Sequence, residues 1–358
     1  MILSKRQCLE IKGYAILMIM LHNYSKFFMH VSGNEMEFRQ SQIDNFLRLI
    51  KLSNFPTMIL SFAGWVGVPL FIFLSAYGLS VKYSEIERSG FKYFRFEWRH
   101  LLKLFRLLIP LYAIFLGLNY LITGDTVTPL RILEQITLTI NIFDWNNIDP
   151  GVYWFFGMIM QFYLLFPLLK RLSIRGLAVG IVLSLLFNYI VVYAMSIETS
   201  SFLRHNFIGW LPSFFAGMLM ARLRLSPKRK TEAIICIVST IVFSASFLLK
   251  WLTPLSGLLA IISFCTFARL VSFKAMAWVG MISASIFVVH PLVRYVIIMC
   301  CPYTIHALFY LVVYIIAVIL LSWLHHKALE RLPSGIFFKA ASLKFLKKCS
   351  FKNEVQKL

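Results

Sequence analysis

Residues 57–79 read TMILSFAGWVGVPLFIFLSAYGL, 23 positions without one charged side chain. A helix rises about 1.5 Å per residue and the hydrocarbon core of a bilayer is about 30 Å thick, so about 20 mainly apolar residues suffice to cross it. In lipid every backbone N–H and C=O must be satisfied within the segment, and a helix does that. The stretch therefore predicts a transmembrane helix. Working outward, nine further apolar runs lie near 11–29, 104–122, 152–169, 176–195, 206–221, 233–249, 254–272, 278–299 and 305–324. The expected fold is all-α: a polytopic bundle of about ten spans over residues 1–325, followed by a basic cytoplasmic tail over 326–358. Composition agrees, with 59% apolar against 14% charged residues and a mean hydropathy of +0.76, far from a domain with a polar surface.

A net charge of +21 on one continuous face would point to nucleic acid, but here Lys and Arg fall in short clusters between apolar runs, and no nucleic-acid partner is expected. The clusters instead report topology, because Lys and Arg concentrate in cytoplasmic loops. With the N-terminus inside, 28 of the 36 basic residues fall on the inner side. The eight exceptions are Lys26, Arg39, Arg48, Lys51, Arg131, Arg204, Lys250 and Arg294. Both termini are expected in the cytoplasm, in a multi-pass protein of the cell (cytoplasmic or inner) membrane. Lys5, Arg6 and Lys12 precede the run from Tyr14 to Met20 with no small-residue cleavage site after it, which reads as an uncleaved first span. The six cysteines form no C-x-x-C pair, and no metal site is implied.

Two outer loops, about 30–56 and 123–151, carry apolar residues at helical spacing: Ile43, Phe46, Leu47 and Ile50 in the first, Leu130, Leu133, Ile136 and Ile140 in the second. They read as interfacial helices, or as lids over a groove opening to the outer face. Lys339, Lys344, Lys347, Lys348 and Lys352 make the tail a basic segment attracted to anionic lipid.

Ionisable groups within a span are costly, so each is a candidate for function. The spans as bounded hold no deep carboxylate, which leaves His22 and His290, with amides at Asn23, Gln161 and Asn188. His22 lies ten residues beyond Lys12, about 15 Å along a helix, and a neutral imidazole there can serve as general base toward a hydroxyl. In EWRHLLKLFRLLIP, residues 97–110, Arg99, Lys103 and Arg106 share one helical face and suit phosphate. Both groups also have plain readings, a histidine bonding a neighbouring helix and ordinary positive flanking. Together they fit a cytoplasmic acyl-CoA anchored at the stripe and reaching inward. The rival readings are a transporter or flippase for a solute or glycan precursor, which normally wants an ionisable relay or a nucleotide-binding domain, and a non-catalytic scaffold.

These motifs resemble the acyltransferase 3 family of polytopic membrane acyltransferases, which includes the O-antigen and other glycan O-acetylases. KGYAILMIMLH (12–22) is similar to the family's basic-residue-to-histidine opening, and GVPLFIFLSAYGLS (67–80) to its second-span stretch. KLFRLLIPLY (103–112) resembles the paired basic residues before a proline, and Trp154 with QFYLLFPLL (161–169) the fourth-span signature. ISASIFVVHPLV (282–293) resembles the late segment ending at histidine. The resemblance implies a catalytic His22, donor binding by Lys103 and Arg106 with Arg99 and Lys12, and orienting roles for Ser75, Tyr77, Trp154, Gln161, Tyr163 and His290. It implies acetyl-CoA as donor and a sugar hydroxyl of a surface or lipid-linked glycan as acceptor. Ile159 and Met160 stand where the O-antigen branch often has carboxylates, so an acid partner for His22 is absent from that place.

Overall fold

The computed structural model describes residues 3–331 except 30, 32, 34, 84–89, 224–226 and 301–306. The tail lysines from Lys339 onward lie outside the described residues. Every regular element among the described residues is helical, and there is no strand. The chain starts with α1 (Lys5–Met29), then α2 (Gln40–Leu49), α3 (Phe55–Ala63), α4 (Gly67–Lys82) and the long α5 (Gly90–Thr123). Next come α6 (Pro129–Ile136), α7 (Ile140–Phe143), α8 (Trp154–Leu169), α9 (Ile174–Ala194), α10 (Ile197–His205) and α11 (Leu211–Arg222). It closes with α12 (Arg229–Ala245), α13 (Ser256–Leu270), α14 (Lys274–Met281), α15 (Ser283–Cys300) and α16 (Ala307–Arg331).

Seven segments are long and apolar enough to cross a membrane: Phe55–Lys82, Tyr93–Thr123, Gly151–Leu169, Ile174–Ala194, Thr253–Leu270, Ser283–Cys300 and Phe309–Arg331. The chain is thus a multi-pass membrane protein. The three other expected spans are also helices. Phe207–Arg222 and α12 are short, and α1 is long but carries Lys12, His22, Asn23 and Lys26. Its position accounts for this tolerance. Packed against α3, α4, α13, α14 and α15, α1 is surrounded by protein, and Ile11, Ala15, Ile16 and Met20 have no exposed surface. At the other extreme, 17% of the apolar window of α16 is buried, and Phe309, Val312, Ile316 and Leu320 project outward. Such an outward apolar face is solvated by lipid tails, so a helix there must be apolar all round.

Two boundaries differ from the sequence expectation. The span expected from 104 begins at Tyr93, which brings Glu97 into it, buried and with no hydrogen-bond partner among the described residues. The span expected over 278–299 is two helices, because the chain breaks at Ile282.

Contacts sort the helix ends into two sets. At one, the Tyr77 hydroxyl accepts from Leu3 N at 3.0 Å, Arg106 donates to the Leu329 carbonyl, and Arg222 donates to the Lys170 carbonyl at 2.8 Å. This basic end also holds Lys12, Lys82, Arg99 and Lys103. At the other, Tyr314 Oη donates to Met20 O at 3.2 Å and Tyr295 Oη to Asn119 Oδ1 at 2.8 Å. This loop end holds the long connections after α1 and α5.

The two loop helices turn different faces inward. On α2, Ile43 and Phe46 are buried as the spacing suggests, with Leu47 outward. On α6, Leu130 and Leu133 are exposed, while Gln135 and the following Ile140 are buried.

Candidate active site

Toward the loop end, α1, α15 and the connections around α8 and α10 enclose a cavity of about 490 Å³. Its polar wall is His22, Asn23, Lys26, Glu35, Arg204, His205 and Arg294, and its apolar wall includes Phe27, Trp65, Trp154, Phe155 and Phe287. A second cavity of about 460 Å³ adjoins it, sharing Phe27, Gly151 and Arg294 and adding Asn119, Asp125, Arg131, Asp149 and Tyr295.

His22 is 4% exposed, and its Nδ1 lies 3.2 Å from the Leu60 carbonyl of α3. A carbonyl oxygen only accepts, so Nδ1 carries the proton and Nε2 keeps its lone pair. The close approach that makes this contact depends on Gly64: a Cβ there would lie 2.6 Å from the His22 Cβ and 2.8 Å from the Met18 carbonyl. Asn23, the next residue, donates to Ile19 O at 2.9 Å, and its own Oδ1 and backbone carbonyl accept from Arg294 of α15 at 3.3 and 3.1 Å.

No carboxylate stands beside Gln161, but one from the loop after α1 lines the cavity. Glu35 Oε2 pairs with Arg204 Nη1 at 2.7 Å. Burial alone would push its carboxyl up, but Arg204, then Lys26, hold it at about 2, so Glu35 is ionised. Arg204 and His205 end α10, a helix opened by Ser196, whose hydroxyl accepts from Thr199 N at 3.2 Å. Glu198 in its first turn and the two basic residues in its last match the helix dipole. His205 Nδ1 lies 2.6 Å from the Ser201 carbonyl, so it too offers Nε2. Burial, then the charge of Arg204, lowers its pKa to about 4, and the ring is neutral at pH 7.

An amide cluster holds this loop over α8. Asn206 donates to Asn141 O at 3.2 Å and Phe202 O at 2.9 Å, and Asn141 in turn donates to Trp154 O at 2.7 Å. Gln161 completes it, donating to Asn206 Oδ1 at 2.7 Å and accepting from Phe207 N at 2.9 Å.

Residues 10–327 match the acyltransferase 3 family, described as an acyltransferase domain. The chain belongs to that family. No curated protein and no solved structure matches it significantly. As an acyltransferase 3 member, it is a membrane-embedded protein with an acyltransferase domain over nearly the whole described bundle.

Of the residues singled out in the sequence, His22, Asn23 and Trp154 line the cavity, and Asn188 does not. Trp154 stacks on Trp210 at 6.2 Å and meets His205 edge-on at 5.4 Å. His290 lies behind the wall with no exposed surface, its Nδ1 3.0 Å from Ile286 O and its Nε2 without a partner among the described residues. Gln161 and Tyr77 spend their polar atoms on backbone and side-chain contacts away from the cavity. Tyr163 packs on His100 at 4.8 Å, and Ser75 is half-buried on α4. Arg99, Lys103, Arg106 and Lys12 belong to the basic end and do not line the cavity; Lys103 is exposed there.

Glu35, Lys26, Arg204, His205 and Arg294 were not foreseen as site residues. A signal for three existed: Lys26, Arg204 and Arg294 are among the eight basic residues that break the charge rule, and Arg131 of the second cavity is a fourth. Among the described residues no three His, Cys, Asp or Glu gather as a metal would need.

Proposed function

We propose that this acyltransferase moves an acyl group, acetyl foremost, from cytoplasmic acyl-CoA to a hydroxyl of a surface or lipid-linked glycan, with His22 as general base. The observation that carries the reading is the His22 ring: in a chain of this family, it lines a cavity with Nδ1–H tied to Leu60 O and Nε2 left to accept a proton. The acceptor hydroxyl gives its proton to Nε2 as its oxygen attacks the thioester carbonyl. The C–S bond then breaks, an ester remains on the sugar, and the thiolate takes the proton from the imidazolium. Ionised Glu35 opposes the positive charge that His22 gains on the way.

Aromatic and hydroxyl-matching groups in one wall suit a sugar: Trp65, Trp154 and Phe155 offer faces, and Asn23 and His205 offer polar atoms. The donor's phosphates rest at the basic end on Lys103, with Arg99, Arg106 and Lys12. Along α1 the ten residues from Lys12 to His22 span about 15 Å, which an extended thioester arm covers. The protein sits in the cell membrane with the basic end, both termini and the tail over 326–358 in the cytoplasm, and the cavity opens toward the outer side. Ser75, Tyr77, Gln161, Tyr163 and His290 support this site through packing.

Replacing His22 by Ala is expected to lower acyl transfer by about 10²–10⁴-fold while the protein still inserts in the membrane and elutes as the parent does. Mass spectrometry of surface glycans, with and without the active gene, reads both the acceptor and the added mass. Unchanged acylation by His22→Ala would remove the histidine from the chemistry, and a glycan that changes in amount but not in mass would favour transport.

A further inference from the structure

We infer that the acceptor carries an anionic group, a phosphate or a carboxylate, about one sugar residue from the hydroxyl that is acylated, and that Arg294 and Lys26 receive it. The inference rests on the acyl-transfer reading and adds the chemical class of the acceptor.

The cavity around His22 has three fixed cations in its wall, Lys26, Arg204 and Arg294, against one carboxylate, Glu35. Glu35 is engaged by Arg204 at 2.7 Å. Arg294 has only the neutral oxygens of Asn23 as hydrogen-bond partners, and neither it nor Lys26 makes an ion pair among the described residues. A guanidinium within a helical bundle is costly without a counter-charge, and Asn23 orients this one without neutralising it. A ligand oxyanion supplies what is missing, and the Arg fork matches phosphate or carboxylate geometry.

Position narrows the ligand further. Lys26 is one helical turn beyond His22, a separation of about 5–6 Å between Cβ atoms, and Arg294 is bound to the residue next to His22. An anion held by this pair is therefore within one sugar ring of the base. The adjoining cavity differs: apart from the shared Arg294, its wall sets Asp125 and Asp149 against Arg131 alone and so disfavours an anion. It suits an uncharged, hydroxyl-bearing part of the acceptor, while the charged part is drawn toward His22. The phosphates of the donor are excluded as the partner by the basic cluster at the opposite end of the bundle.

The test uses the full chain purified in lipid nanodiscs, without donor, and measures the affinity of glucose, glucuronate and glucose 1-phosphate by calorimetry. At least one anionic sugar should bind about tenfold more tightly than glucose, and Arg294→Gln or Lys26→Gln should remove that preference. A preference for glucuronate alone identifies an acidic sugar, and one for glucose 1-phosphate alone a phosphorylated or lipid-linked precursor. Equal affinity for all three, or a preference that survives both substitutions, overturns the inference. Lys26→Gln removes no hydrogen bond among the described residues, so it tests the site even where Arg294→Gln, which releases Asn23, fails to fold. His22→Ala should keep the preference. Loss of acyl transfer in His22→Ala is read separately, so failure of the enzyme reading and failure of the anion site give different results.

Discussion

At His22 a single backbone oxygen decides which nitrogen is reactive. Because Leu60 O can only accept, Nδ1 is the protonated atom and Nε2 the nucleophilic one. Diethyl pyrocarbonate should therefore modify His22 at Nε2 alone, and two-dimensional NMR of the labelled ring checks the position. The neighbouring titrations set an acid limit on stability. His205 titrates at about 4 when folded against 6.5 for the ordinary ring, so the unfolded chain binds a proton first and stability is lost as pH falls from 6.5 to about 4. Glu35, at about 2 against 4.5, adds a second loss between those values. The melting temperature in detergent should fall from pH 7 to pH 4, less steeply in His205→Gln, while Glu35→Gln should alter the curve below pH 4.5. That His22 is a candidate was legible in the sequence because an ionisable group in an apolar run is costly, and the structure places it on the cavity wall. Glu35 and His205 were not, because they sit in connections whose path over the bundle leaves no periodic trace.

Among the elements, the join of α1 to α3 and α4 bears most directly on the site. Gly64→Ala places a methyl against His22 and the Met18 carbonyl, forcing α1 and α3 apart. Acyl transfer should drop by about 10²-fold in that variant, as expected for a catalytic group displaced by about 1 Å. Gly78→Ala is the control: its Cβ meets nothing within 4 Å, and activity should stay near that of the parent in a side-by-side donor-consumption assay. The amide cluster over α8 gives a stability prediction. Asn206→Ala strands Gln161 and Asn141 and should cost about 1–3 kcal/mol in denaturant unfolding, because buried polar groups lose their partners. Hydropathy located the apolar cores of these helices well but missed the early start of α5, since Arg95, Glu97 and Arg99 interrupt the aromatic residues that continue the same helix. It also missed the break at Ile282, where the apolar run continues unbroken and Gly280 is the one local marker.

For the whole molecule, the sequence carried the all-helical class and membrane character because both depend on long apolar runs. It could not show which helix is central. Apolarity does not separate lipid contact from burial: Phe55–Lys82 and Phe309–Arg331 are equally apolar, yet 72% of one window and 17% of the other are buried, while α1, enclosed by protein, looks marginal. Orientation is open to a direct measurement in a cysteine-free background. A cysteine at Thr126 should react with an impermeant maleimide added to intact cells, and one at Lys274 only after permeabilisation; the reverse pattern would invert the assignment of the two ends. The enclosure of α1 also has a consequence for how the protein is made. The helix synthesised first is the one whose companions emerge last, since α13, α14 and α15 complete its surroundings. Until the ribosome has delivered them, α1 is covered by protein on its α3 and α4 side alone, and Asn23 waits for Arg294. Nascent chains stopped before Ser283 should accordingly linger on the insertion machinery and be cleared by quality-control proteases, even though every span they contain has already been translated.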